Sequence, residues 1–229
     1  IGTSILDRLI NKDHNFFIGS KNKNNVDYIC EKYAINGSEI DVTDLENFSL
    51  FFEKANKYLD EIDVIINCVG SILLKPSHLA SFEEILQTYQ LNIFNSIGTI
   101  KYGIKYLRKK GGSIILFSSA AAEIGLKNHD IISSAKGAIN SLVKSAAISY
   151  ANYNIRVNAI APGLVKTNLS DKIVQNEESM KYSLKLHPLK RLGEPKNIGG
   201  CVEWLIDRDS DWVTGQIVTI DGGLSTLKI

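Results

Sequence analysis

Short apolar runs alternate along the chain with longer stretches in which apolar residues recur every three or four positions. Asn15–Gly19, Ser38–Val42, Val64–Cys68, Ser113–Ser118, Arg156–Ala161 and Gln216–Asp221 have the length and composition of strands. The spacing predicts helices over Thr3–Asn11, Leu45–Leu59, Ser81–Arg108, Ile131–Tyr150 and Pro195–Ile206. Strands alternating with helices of crossover length form a doubly wound parallel sheet, an α/β fold in three layers. No repeat or low-complexity linker breaks the alternation, so one domain over residues 1–229 is expected.

Composition narrows the function classes. At 229 residues, 44% hydrophobic and 22% charged, the chain can bury one large core. The net charge is +1. Its lysine-rich pieces (Lys21-Asn-Lys23, Lys105 to Lys110, Lys185 to Arg191) are short and scattered, so no basic face for a nucleic acid is expected. Cys30, Cys68 and Cys201 match no metal-ligand spacing and read as free thiols in a reducing, cytoplasmic setting. No apolar run approaches the roughly 18 residues of a membrane span, and no secretory signal is visible. The chain opens on Ile1-Gly2 without a methionine, so further residues upstream are expected.

A sheet of this kind binds ligands beyond the carboxyl ends of its strands. Those positions hold Ser20-Lys21, Asp41, Asn67-Cys-Val-Gly70, Ser118-Ser119 and Pro162-Gly163. Ser119 closes the strand Gly112-Ser-Ile-Ile-Leu-Phe-Ser-Ser119, and thirteen positions on stands Ile132-Ser-Ser-Ala-Lys136. This segment closely resembles the short-chain dehydrogenase/reductase family, and the likeness runs from Ile1 to Asp221-Gly-Gly223. It implies a Rossmann-type fold and a nicotinamide dinucleotide cofactor. In the family the residue at position 132 is the tyrosine of a Tyr-x-x-x-Lys motif. An aliphatic Ile132 has no proton to give, so the family's usual general acid/base is absent.

For the cofactor, the resemblance implies that Gly2 is the remnant of a Gly-rich turn beside the pyrophosphate, with the first strand and most of that turn upstream; an ordinary loop end is the alternative. Ser20 and Lys21 offer donors and no carboxylate where the ribose 2′ group would lie, which favours NADP(H) over NAD(H) unless Lys21 is simply solvated. Asp41 and Val42 match the pair that meets the adenine, although Asp41 also suits a turn or helix cap with Thr43 and Asp44. Gly70 would let the backbone pass the ribose, Asn67 would tie strands together, and Cys68 would be a small buried filler. Pro162, Gly163, Val165 and Thr167 match the loop that clamps the nicotinamide amide.

For the chemistry, the resemblance assigns Ser119 to the substrate oxygen, Lys136 to the ribose and Asn92, at a local kink, to a water relay. His129 beside Asp130 is the candidate replacement acid, with Asp130 also a sensible N-cap, and Ser133, Ser134 and Tyr182 stand behind it. Residues 168–191 read as a lid over an apolar-walled pocket for an unidentified small molecule. The expected activity is carbonyl/alcohol oxidoreduction in a homodimer or homotetramer. The alternative is a catalytically silent dinucleotide-binding protein.

Overall fold

The computed structural model describes residues 1–228. In chain order the elements are α1 (Gly2–Leu9), β1 (Phe17–Ser20), α2 (Lys23–Tyr33), β2 (Asn36–Glu39), α3 (Asn47–Leu59), β3 (Val64–Ile66), α4 (Phe82–Tyr89), α5 (Asn95–Leu107), β4 (Gly112–Phe117), α6 (Asp130–Tyr150), β5 (Ile155–Pro162), α7 (Asp171–Val174), α8 (Glu177–Leu186), α9 (Pro195–Ile206) and β6 (Ile217–Ile220). Every strand pair is parallel. Along β4 the side chains alternate between two cores. Ile114 and Leu116 join a cluster with α3, α5 and α6, whereas Ile115 and Phe117 join a second with α1 and α9. Strands buried on both faces read as unbroken apolar runs, which is why this one stood out in the sequence.

The strands fall into two sheets: β1 pairs only with β2, while β3-β4-β5-β6 form a four-stranded sheet. A cavity of about 1420 Å³ runs between the pieces, lined by Phe17–Ser20 on one side and Val64–Ile66 on the other, and by no residue of β2. The free edges of β1 and β3 therefore both face this slot.

Other elements shift for local reasons. The polar α2 had no apolar stripe to betray it, since Val26 is its single buried residue. It is held at its start by Asn22, whose side chain accepts from Asn25 N–H, and at its end by Ala34 in the left-handed conformation. β2 ends at Glu39, earlier than expected, because Ile40 and Val42 turn into the larger core. The expected Ser81–Arg108 helix is α4 and α5 joined by a π-helical turn, Gln90–Phe94, with Asn92 at its centre. Finally, α6 begins at Asp130 rather than Ile131, so His129 holds the N-cap position and Asp130 does not cap.

Candidate active site

Lys136 enters the site from α6 and is buried, at 7% exposure. Its Nζ donates to the Phe117 carbonyl at 2.7 Å, and the hydroxyl of Ser118, to which the sequence assigned no role of its own, donates to the Lys136 carbonyl at 3.1 Å. Helix and strand end are thus clamped together through both halves of one residue. No carboxylate pairs with Lys136 among the described residues, and burial alone pulls its ammonium down to about 8.

Asn92 lies opposite. The π turn frees the Thr88 carbonyl, and Asn92 Nδ2 donates to it at 2.7 Å and to Ser71 Oγ at 3.0 Å, while its Oδ1 accepts from Ser71 N–H at 3.3 Å. Gly70 closes this corner: a β-carbon there would sit 3.0 Å from Asn92 Oδ1 and 3.3 Å from Lys136 Nζ. Any side chain would fill the space that a ligand could use against these two groups. Ser119 caps a short turn by accepting from Ala121 N–H at 3.1 Å, and its own hydroxyl proton is unspent among the described residues.

Ile132 is buried at 5% exposure but belongs to neither main cluster. His129 is not brought to the chemistry. Its Nδ1 lies 2.8 Å from the Lys127 carbonyl, and the Asp130 carboxylate, which was to orient it, instead accepts from Ser77 N–H at 2.9 Å and Ser77 Oγ at 2.8 Å. Ser134 is turned towards Tyr89 and Ser133 towards the Asp130 carbonyl, while Tyr182 is exposed.

At the other end, Ser20 Oγ accepts from Asn22 N–H at 3.3 Å and Lys21 reaches across to Asp41 at 2.7 Å. Lys21 and the two donors of Thr43 hold the Asp41 carboxyl down at about 2. This ion pair is largely exposed and contributes on the order of 0–1 kcal/mol, so a ligand could displace it. Val42 is buried in the larger core. Asn67 ties β3 both to another strand and to a helix: its backbone N–H donates to the Ile115 carbonyl of β4 at 3.0 Å, and its Nδ2 donates to Asn95 Oδ1 at 2.9 Å and Thr99 Oγ1 at 2.7 Å. Asn95 and Thr99 were missed, though two polar residues four apart, on one face of a helix, were a usable signal. Cys68 is not a buried filler but is exposed on the slot wall. Protein still surrounds it closely enough that burial pushes its thiol up to about 12, so it stays protonated. Gly2 opens α1 and lines the same slot.

The Pro162–Thr167 loop is held on two sides. Val165 bridges to Gly193, and Ser170 Oγ donates to the Val165 carbonyl at 2.6 Å and accepts from Thr167 N–H at 3.0 Å. Residues 168–191, the segment expected to form a lid, carry two helices, α7 and α8, with no fully buried apolar residue; the buried members of the segment are Ser170 and His187.

This arrangement of a parallel sheet, a lysine clamped to the end of β4 and a glycine-walled corner is that of one family, and the comparisons agree. The family described as enoyl-(acyl carrier protein) reductase matches residues 1–225. The chain belongs to the short-chain dehydrogenase/reductase family of oxidoreductases. It is 32% identical over 195 residues to a chloroplastic tropinone reductase homolog, At2g29260, of Arabidopsis thaliana, covering 84% of this chain and 61% of that protein. It is also 32% identical over 198 residues to the hydroxynaphthalene reductase-like protein Arp2 of Metarhizium acridum, covering 81% and 74%. The solved structure of ElxO with NADP bound superposes with a TM-score of 0.91 at 26% identity, covering 99% of this chain and 94% of that one. A tyrosine-to-phenylalanine variant of ElxO with NADPH bound gives 0.90 at 26% identity. No helix among the described residues is long and apolar enough to cross a membrane.

Proposed function

We propose that the chain binds NADP(H) and carries out oxidoreduction of a carbonyl/alcohol pair on a small molecule. The observation that carries this is the corner of Lys136, Asn92 and Gly70. A buried ammonium without a counter-charge is costly, and ribose hydroxyls are neutral acceptors that would satisfy the two protons left over from Phe117. The bound nicotinamide would supply hydride to, or take it from, the substrate carbon. Ser119 would donate its unspent proton to the substrate oxygen. With Ile132 silent and His129 turned away, Lys136 is the group placed to release a proton, directly or through water, and reduction should slow as pH rises past about 8. Ser20, Lys21 and Asp41 would hold the adenosine end, with Val42, Asn67 and Gly2 shaping its walls. Pro162, Gly163, Val165 and Thr167 would hold the nicotinamide.

The ElxO variant with NADPH bound supports cofactor retention after loss of a tyrosine in that relative. A homodimer or homotetramer is part of the same reading, supported by the large apolar side chains left open at Phe82, Ile148 and Trp212. The cytoplasm, a reducing compartment, suits the free cysteines. The buried Ile132 favours a second reading, a dinucleotide-binding protein without turnover.

Fluorescence titration with NADPH, followed by a panel of ketones, tests both. NADPH should bind, and Lys136→Ala should weaken it about tenfold, the worth of one charge-assisted hydrogen bond. Failure of the wild type to bind would sink both readings. Binding with no turnover on any ketone would select the silent one.

A further inference from the structure

Among the buried titratable groups, His187 is the most deeply buried of those to which the reading above gives no task. It follows the last turn of α8, at 3% exposure, and its ring touches three segments. Nδ1 lies 2.7 Å from the Ser183 carbonyl. A carbonyl can only accept, so Nδ1 carries the hydrogen. In the neutral ring Nε2 is then a bare acceptor, and Leu164 N–H donates to it at 3.3 Å. The ring also packs on Gly163, where a β-carbon would lie 2.9 Å from Nε2 and 2.9 Å from Asp221 Cα. Gly222 stands on the far side of the ring, 3.8 Å from Cδ2 by the same measure. The backbone repeats the link, since Leu189 N–H donates to the Gly222 carbonyl and Gly163 N–H to that of Ile220.

We infer that His187 is a positioning residue, a clasp that joins the end of the lid to the Pro162–Thr167 loop and so fixes the backbone groups that meet the nicotinamide. This rests on the NADP(H) reading. The chemistry is specific to this tautomer. The ring's two nitrogens are matched to one obligate acceptor and one obligate donor, on different elements, so an apolar residue of similar volume would fill the space and lose both bonds. Thr167 also begins the lid, at the cap of the Asn168–Ser170 turn, so the loop and lid share both ends. The ligand should therefore feel His187 at its nicotinamide end and not at its adenosine end, where Ser20, Lys21 and Asp41 stand on other elements.

Two variants and two probes separate this from plain structural support. His187→Leu should raise the dissociation constant for NADPH about tenfold, while that for adenosine 2′,5′-bisphosphate, which lacks the nicotinamide, stays within about twofold. His187→Gln offers a side-chain oxygen where Nε2 stood and should keep NADPH within about threefold of the wild type. Equal weakening of both probes, no weakening of either, or a glutamine variant as poor as the leucine one overturns the clasp. Amide exchange at Leu164 tests the same bond without any ligand: protection should be lost in His187→Leu and kept in His187→Gln. Unchanged protection overturns the proposal even if the wild type binds no NADPH, an outcome that would by itself sink only the underlying reading.

Discussion

The two sheet pieces are built from the same kind of strand and differ in how many neighbours each has. In the four-stranded piece, β4 and β5 have partners on both edges and helices on both faces, and Ile114, Ile115, Leu116, Val157, Ala159 and Ile160 are fully buried. In the two-stranded piece no residue of β1 or β2 is fully buried, and β1 turns its free edge to the slot. A parallel strand needs covering on every side before its apolar side chains can contribute fully. Ser119, Lys136 and the Pro162–Thr167 loop all sit at the carboxyl end of the dense piece. The groups proposed for the adenosine end, Ser20, Lys21 and Asp41, sit on the open one. A group that must be held to a fraction of an ångström is better placed on the rigid element, whereas a handle for the far end of a ligand can tolerate the looser one.

The comparison makes a direct claim about stability. Ile114→Ala should cost about 2–5 kcal/mol in urea denaturation, because its surroundings on β4 cannot collapse into the cavity. Ile18→Ala, on β1 beside the slot, should cost about 1 kcal/mol or less. Equal losses would mean that β1 is packed as densely as β4.

The dense piece was also the legible one. Ser113–Ser118 and Arg156–Ala161 could be placed to within a residue because most of their residues are apolar and buried. The kink at Asn92 was legible from a polar residue inside an apolar helix. By contrast α2, with one buried side chain, left no periodic mark. In the site, residue identity singled out Lys136, Ser119 and Gly70 as candidates. It did not give the direction in which His129 and Asp130 point. Those directions are decided by the Lys127 carbonyl and by Ser77, fifty-three positions away from Asp130. His187 was invisible for the same reason: its partners, Leu164 and Ser183, make it what it is only after the lid has folded.

At the chemical end, the sharpest probe is Ile132→Tyr. It places a phenol four residues before Lys136, on the same face of α6. If the site lacks only its acid, turnover on simple ketones should rise about 10²-fold, the lower end of what a positioned general acid contributes. The dense packing that buries Ile132 supplies the opposing outcome. A ring that cannot be seated there would leave turnover at background with NADPH still bound, and the dense end would then be a binding wall rather than an idle catalyst.

The smallest effect should come from the open end. Lys21→Asp removes the cation expected to meet a 2′-phosphate and sets a second carboxylate beside Asp41. The ratio of NADH to NADPH dissociation constants should fall about tenfold, near 1.4 kcal/mol. Thermal stability should barely move, because the Lys21–Asp41 pair is exposed and contributes on the order of 0–1 kcal/mol. Asp41→Asn separates the two jobs Lys21 could have. If Lys21 must leave Asp41 to reach the phosphate, freeing it in advance should tighten NADPH slightly relative to NADH. If Lys21 serves only to hold Asp41 in its turn, both dinucleotides should weaken together and Lys21→Asp should leave their ratio unchanged. That second pattern would assign the open piece no part in choosing the cofactor and leave discrimination entirely to the dense one.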